Sequence, residues 1–224
     1  MIDQLIINDK SSFDDFDASL KAREIHAPKK KSIKETVPFS NATYDFSAIN
    51  GELYWEEREL KYIFEIIADS PEELEVKRMA FMSWVMNVMT GNIYDPYEPG
   101  WHYVGTYDGA EYEDDESMEK TTITVTFLAY PYKISNNLTE YTIIIPAGQT
   151  VTAEITNNSS HRLTPTLISN AEVAIDFAGI GYSVPVGEVT DDTLKLNAGE
   201  SALTVTNAGD VDCTLVIKFY REVF

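Results

Sequence analysis

The sequence predicts a mainly β protein with one principal helix, in two parts that meet near residue 134. Three observations predict it. Apolar residues alternate at a period of two along 61–67 and 121–129. A single stretch, 71–90, repeats its apolar residues at helical spacing behind a capping signal. The last ninety or so residues break into short β-prone runs separated by turn residues, with no helical stretch among them.

In the first part, Asn50-Gly51 stands between 44–49 and the long run 53–67, the strongest short-range signal for a hairpin. Along that run Tyr62, Phe64 and Ile66 form one apolar face, while Lys61, Ile63, Glu65 and Ile67 mix on the other. Ser70 can cap a helix, Pro71 suits its first position and Glu73 completes Ser-x-x-Glu. Leu74, Phe81, Val85, Val88 and Met89 then recur on one side, broadened by Met82, Trp84 and Met86, until Gly91 stops the helix. Such a stripe plugs a sheet with its own core face; a methionine-rich stripe can also serve as an adaptable partner groove. Strand-like segments follow at 93–97 and 101–107, and Asp108-Gly109 predicts a second hairpin turn. In 121–129, Ile123, Val125 and Phe127 face one way and Thr122, Thr124 and Thr126 the other.

The join, Ala129-Tyr130-Pro131-Tyr132-Lys133-Ile134-Ser135-Asn136-Asn137, ends a strand pattern at a proline and turn residues and reads as a domain boundary. Residues 1–134 carry 13 basic and 26 acidic side chains, all three tryptophans and all six methionines; residues 135–224 carry 4 and 11 and are rich in Thr, Val, Asn and Gly. Strands are expected at 141–145, 151–157, 164–169, 172–177, 193–196, 202–206 and 213–220, with turns at 146–149, 197–200 and 207–210. Short strands at this spacing mean a β-sandwich.

Charge and cysteine content exclude several classes. With Lys plus Arg at 17 and Asp plus Glu at 37, the formal charge is −20. That opposes general nucleic-acid binding, which needs clustered cations, and docking on an anionic membrane. No apolar run approaches the roughly 20 residues of a membrane span, and the opening Met1-Ile2-Asp3-Gln4-Leu5 lacks the basic and apolar regions of a secretion signal. Cys213 stands alone, which removes any disulfide framework within the chain and fits synthesis in a reducing cytosol. Sequons at Asn41, Asn137, Asn157 and Asn158 read as chance in an Asn- and Thr-rich chain.

Catalytic, cofactor and metal sites are expected to be absent. His26, His102 and His161 show no metal-ligand spacing. Gly181-Tyr182-Ser183-Val184-Pro185 has proline where a nucleophile elbow needs its second glycine, and Gly179-Ile180-Gly181 is too short for a dinucleotide loop. Cys213 falls on the apolar face of Leu215, Ile217 and Phe219 and reads as a core thiol. Two charge clusters remain. Glu111, Glu113, Asp114, Asp115, Glu116 and Glu119 form an acidic run without calcium-loop spacing. Lys21, Arg23, Lys29, Lys30, Lys31 and Lys34 form a basic cluster around Pro28. Each is a solvated face or an electrostatic docking surface, and the acidic run is also a candidate weak cation site. As a pair of opposite sign, Lys29, Lys30, Lys31 and Lys34 against Glu111, Glu113, Asp114, Asp115 and Glu116 are candidates for a contact between subunits.

The first part resembles the N-terminal domain of the distal tail proteins (Dit) of long-tailed, non-contractile phages and prophages of Gram-positive bacteria. The resemblance rests on Ser12-Phe13-Asp14-Asp15-Phe16, on Ile33-Lys34-Glu35-Thr36-Val37-Pro38 through Asp45, and on the strand from Leu53 to Phe64 with its central Arg58. The capped helix, Ile93-Tyr94-Asp95-Pro96, Trp101-His102-Tyr103 and Phe127-Leu128-Ala129-Tyr130-Pro131-Tyr132 follow in order. Phe39-Ser40-Asn41-Ala42 departs from the pattern, standing where glycines are expected. The resemblance implies a β-barrel or sandwich-like ring domain over 1–134 and a galectin-like β-sandwich over 135–224. It implies a hexameric ring at the tail tip, in the virion, joining the tail tube to tail-tip or baseplate hub proteins while DNA passes without specific binding. No enzyme activity and no cofactor are implied. The rival reading is a carbohydrate-binding sandwich that recognises host-wall glycans, against which stands the lack of any tryptophan in 135–224.

Overall fold

The computed structural model describes residues 3–36, 38–39, 41–48 and 51–224. It divides into two units, one of residues 1–133 with Phe224 and one of residues 134–223.

The first unit is a sheet backed by one helix. In chain order it holds β1 (Ile6–Ile7), β2 (Lys10–Ser11), β3 (Ser19–Ile25), β4 (Lys34–Thr36), β5 (Thr43–Asp45), β6 (Arg58–Ile67), α1 (Pro71–Met86), β7 (Gly91–Tyr94), β8 (Trp101–Asp114) and β9 (Lys120–Ala129). The main sheet runs β2-β1-β7-β8-β9-β6-β3, with the ladders antiparallel. Its central strands alternate as the sequence requires. Leu60, Tyr62, Phe64 and Ile66 of β6 and Ile123, Val125 and Phe127 of β9 are fully buried. They pack with Leu74, Phe81 and Val85 of α1. The Ser70 hydroxyl accepts from the Glu73 N–H, and the Glu73 carboxylate accepts from the Asp69 N–H, so the capping signal closes the helix start as expected. The helix ends earlier than expected, at Met86 with Asn87 as its cap, and Gly91 opens β7 instead of stopping the helix.

Three expectations for this unit are corrected. The sheet does not close into a barrel: among the described residues β3 pairs only with β6, at an open edge. Asp108-Gly109 is not a turn. β8 runs through it, and the register against β9 shifts between Tyr107 and Gly109. The extra residue is a β-bulge, which moves the inward positions from Tyr103, Gly105 and Tyr107 to Ala110, Tyr112 and Asp114. The actual turn follows Asp114, where the Asp115 carboxylate accepts from the backbone N–H groups of Glu119 and Lys120. Finally, β5 does not pair with the run at 53–67. It pairs with β4 in a separate two-stranded hairpin, and β6 starts only at Arg58. Asn50 of the expected hairpin turn lies outside the described residues, as do Val37 and Ser40 of the 33–45 stretch.

The second unit is a β-sandwich of β10 (Lys133–Ile145), β11 (Thr150–Asn157), β12 (Thr166–Ser169), β13 (Val173–Phe177), β14 (Ile180–Val184), β15 (Gly187–Thr190), β16 (Gly199–Thr206) and β17 (Cys213–Val223). One layer runs β11-β16-β13-β14 and the other β15-β12-β17-β10. Alternate residues of both layers, among them Ile145, Ile155, Leu167, Ile175, Leu203, Val205, Leu215 and Ile217, fill one core. Cys213 is fully buried there, its sulfur 3.2 Å from the Ser169 hydroxyl. Two local expectations fail. Residues 193–196 are not a strand; Leu196 makes a single bridge to Leu163, and β14 and β15 supply the strands instead. Ser135-Asn136-Asn137 is not a turn, since β10 runs through it. Among the described residues no helix is long and apolar enough to cross a membrane.

Candidate subunit interface

The basic candidates lie on an arm that leaves the sheet between β3 and β6. Its base is a short backbone pairing: the Lys31 N–H donates to the Tyr54 carbonyl and the Glu56 N–H to the Lys29 carbonyl, each at 2.8 Å, around the bridge between Lys30 and Trp55. Pro28 is buried under this base, while Lys29, Lys30, Lys31 and Lys34 are exposed. β4 and β5 form the outer part of the arm. The Asp45 carboxyl is held below its usual pKa, mainly by its bonds to Ser47 and also by the charges of Lys34 and Lys30.

The acidic candidates do not form one patch. Strand alternation puts Glu111 and Glu113 on the face opposite α1, beside Thr124 and Thr122 of β9. Asp114 points to the helix side, where it receives Arg78 of α1 through two bonds of 2.6 and 2.7 Å. That pairing, helped by the bond to Thr121, holds the Asp114 carboxyl below its usual pKa. The same guanidinium lies 4.3 Å from the Tyr112 ring centre. Asp115 is engaged within its own turn, and Glu116 is exposed there. Lys120, at the end of the turn, pairs with Glu65, which also holds Lys21 at 2.8 Å. The structure thus brings Glu111 and Glu113 together and commits Asp114 and Asp115 to bonds within the chain.

Sequence reasoning missed a buried polar cluster at the β7–β8 loop. Arg23 of β3 pairs with Asp95 at 2.6 Å and Glu98 at 3.1 Å. Lys133 reaches Glu98 at 2.8 Å, and the Tyr103 hydroxyl donates to it at 3.1 Å. Burial pushes the Glu98 pKa up, but the bond and charge of Lys133, with Tyr103 and Arg23, outweigh it and hold the carboxyl below its usual value. Burial and the Glu98 charge push the Tyr103 hydroxyl well above its usual pKa. The same two causes, with Asp95 as the charge, act on Tyr62. Every carboxylate here meets a cation or a hydroxyl, so the cluster pins the loop. Asp95 and Glu98, three apart in a Pro- and Gly-containing stretch, give no sequence signal because their partners come from three distant strands.

Nothing else in the described residues assembles a reactive constellation. His26 lies between Glu24 and Glu59, His161 faces Glu222 at 3.1 Å, and the His102 ring packs on Tyr94. Among the described residues no group of three His, Cys, Asp or Glu side chains could hold a metal ion.

Apolar exposure is the other feature that sequence left open. Ile33, Phe39, Tyr44 and Phe46 on the arm and Val76, Met79, Met86 and Met89 on or beside α1 are all exposed. Met86 and Met89 were expected on the core side of the helix. The core is instead filled by Leu74, Phe81, Val85 and Val88.

No family model matches the chain, and no curated protein sequence matches it. Among solved structures it is similar to the Dit protein of phage SPP1, described as a paradigm of the hub adsorption apparatus in phages that infect Gram-positive bacteria. The likeness covers 98% of this chain and 99% of that one at 14% identity, with a TM-score of 0.72. The phage P2 baseplate in its activated conformation matches over 97% of this chain and 98% of that one at 11% identity, but its TM-score of 0.41 is too low to bear on the argument. The chain therefore has a mainly β fold like that of the SPP1 Dit protein.

Proposed function

We propose that the protein is a structural component of a phage or prophage tail tip. In this reading six copies form a ring through residues 1–134, the sandwich of 135–224 sits outside the ring, and the ring joins the tail tube to the tail-tip or baseplate hub proteins. The observation that carries the reading is the likeness to the SPP1 Dit protein over nearly the whole of both chains. The surface supports it: a subunit that lives in a ring needs apolar and aromatic side chains outside its own core, and the arm and α1 supply them. The formal charge of −20 per copy supports passage of DNA without adhesion, because phosphate binding needs cations on the wall.

The basic arm residues Lys29, Lys30, Lys31 and Lys34 belong to the subunit contact in this proposal. Their acidic counterpart narrows to Glu111, Glu113 and Glu116, since Asp114 and Asp115 already have partners. Exposed ion pairs contribute about 0–1 kcal/mol each, so charge sets register and rate while apolar contacts supply affinity.

The rival glycan-binding reading draws no support from the four-stranded layer of the sandwich; in the other layer Tyr220 of β17 is exposed. The outer side of its four-stranded layer presents Thr150, Thr152, Thr204, Thr206, Asp176 and Ser183, several of them bonded to each other across strands, and no aromatic ring on which a sugar could stack. Sedimentation and particle imaging of the full chain test the proposal. Rings of six copies are expected; a chain that stays monomeric at tens of micromolar refutes it, and saturable binding of host-wall polysaccharide by the sandwich would favour the rival.

A further inference from the structure

Two unpartnered apolar surfaces of the first unit complement each other. The first is the arm. Its strands, β4 and β5, have three residues each and among the described residues pair only with one another, and a lone two-stranded hairpin is marginal in water. Register puts Glu35 opposite Tyr44, so Ile33, Tyr44 and Phe46 share one face, with the Tyr44 and Phe46 rings stacked at 6.4 Å. Phe39 projects fully exposed from the loop between the strands. Nothing in the chain's own core covers these side chains.

The second surface is the solvent side of α1. Val76, Met79, Ser83 and Met86 are spaced three or four apart and lie on one side of the helix, with Met89 just beyond its end. Met79, Met86 and Met89 are 62%, 57% and 84% exposed. Beside this stripe lies an open cleft of about 400 Å³ lined by Ile7, Phe16, Ala80, Ser83, Trp84 and Val88. Glu72 and Glu75 border the stripe at the start of the helix.

Charge favours the pairing. The base of the arm carries Lys29, Lys30 and Lys31, all exposed, and Glu72, also exposed, borders the stripe, while Glu75 beside it is held by Arg78 and Glu35 sits among the apolar side chains of the arm. Ring contacts are head-to-tail, so two different patches of one chain must complement each other. The arm's base and the glutamate end of α1 lie at opposite ends of β6, ten residues apart, about 30 Å. We infer that the arm of one copy docks on α1 of the next, its apolar face on the methionine stripe and Phe39 in the cleft. The inference rests on the ring reading and names the surface that the ring uses.

The full chain tests it, with sedimentation for assembly and thermal unfolding for integrity. Met79→Glu with Met86→Glu should weaken association by about tenfold or more, and Phe39→Ser should weaken it in the same direction, while the melting of the single chain stays unchanged. In a second measurement a chain with Ile33→Cys is mixed with one carrying Met79→Cys and oxidised. A disulfide that joins the two kinds of chain, and forms in neither alone, is expected. Cys213 does not interfere, being fully buried. If wild type forms rings while the charged variants assemble as readily and no mixed disulfide appears, the docking is wrong and the ring reading stands. If wild type never assembles, the ring reading fails and takes this inference with it.

Discussion

Glu98 is a carboxylate only 16% exposed that stays ionised because Lys133, Tyr103 and Arg23 all bond to it. Removing its charge leaves Lys133 without its carboxylate and Arg23 with Asp95 alone, so Glu98→Gln should destabilise the protein by about 1–3 kcal/mol. The pH dependence has a definite sign. Glu98, Asp114 and Glu65 all have folded pKa values below the ordinary carboxylate value. Their stabilisation is complete above the unfolded pKa, about 4, and is lost as pH falls through the lower folded value. Urea unfolding between pH 7 and pH 3 should therefore show falling stability, with the gap between wild type and Glu98→Gln closing at the acid end. A gap that stays constant to pH 3 would show that Glu98 is not the titrating group.

Among the elements, β8 and α1 yield separable tests. Gly105 lies where β8 passes between β7 and β9, and a Cβ there would meet Ile93, the Ala129 Cβ and the Leu128 carbonyl at 3.1–3.2 Å. Backbone cannot yield as a flexible side chain can, so Gly105→Ala should cost about 1–3 kcal/mol. Gly109, beside the bulge, has nothing within 4 Å of the same added atom, and Gly109→Ala should change stability by less than about 0.5 kcal/mol. Equal effects at the two sites in chemical denaturation would mean that the β8 register is wrong. At the start of α1, Ser70→Ala removes the acceptor for the Glu73 N–H. It should cost about 1 kcal/mol, read as a shift in the denaturation midpoint at unchanged slope; no shift would mean that the cap contributes nothing.

For the whole molecule, the two buried clusters belong to different stretches of chain. The sandwich core draws only on residues 143–219. A fragment of residues 134–223 should therefore fold with a cooperative transition and remain monomeric. Self-association by that fragment would move the ring contact out of the first part of the chain. The full chain, by contrast, should assemble with a rate that falls as salt rises, since lysines and glutamates flank its apolar contacts.

The sequence by itself determined the class of the fold and the core-facing sides of its main elements. Period-two alternation in β6, β9 and β17 and the Ser70-Pro71-Glu73 start of α1 depend only on neighbours within a few residues, so each is legible without the rest of the chain. Tertiary structure decided which strands pair and which apolar residues stay outside. Asp108-Gly109 suits a turn or a bulge equally well, and β9, bonded on both sides of it, imposes the bulge. Asn50-Gly51 signals a hairpin, yet β6 finds ten residues of partner in β9 on one side, more than 44–49 could offer, and six in β3 on the other. That leaves β5 to pair with β4. Met86 and Met89 fit a helical stripe, but Leu74, Phe81, Val85 and Val88 fill the space over the sheet, leaving the methionines on the surface. The acidic run reads as one patch along the chain; a strand sends alternate side chains to opposite faces, and only a folded sheet shows that Arg78 waits on one of them.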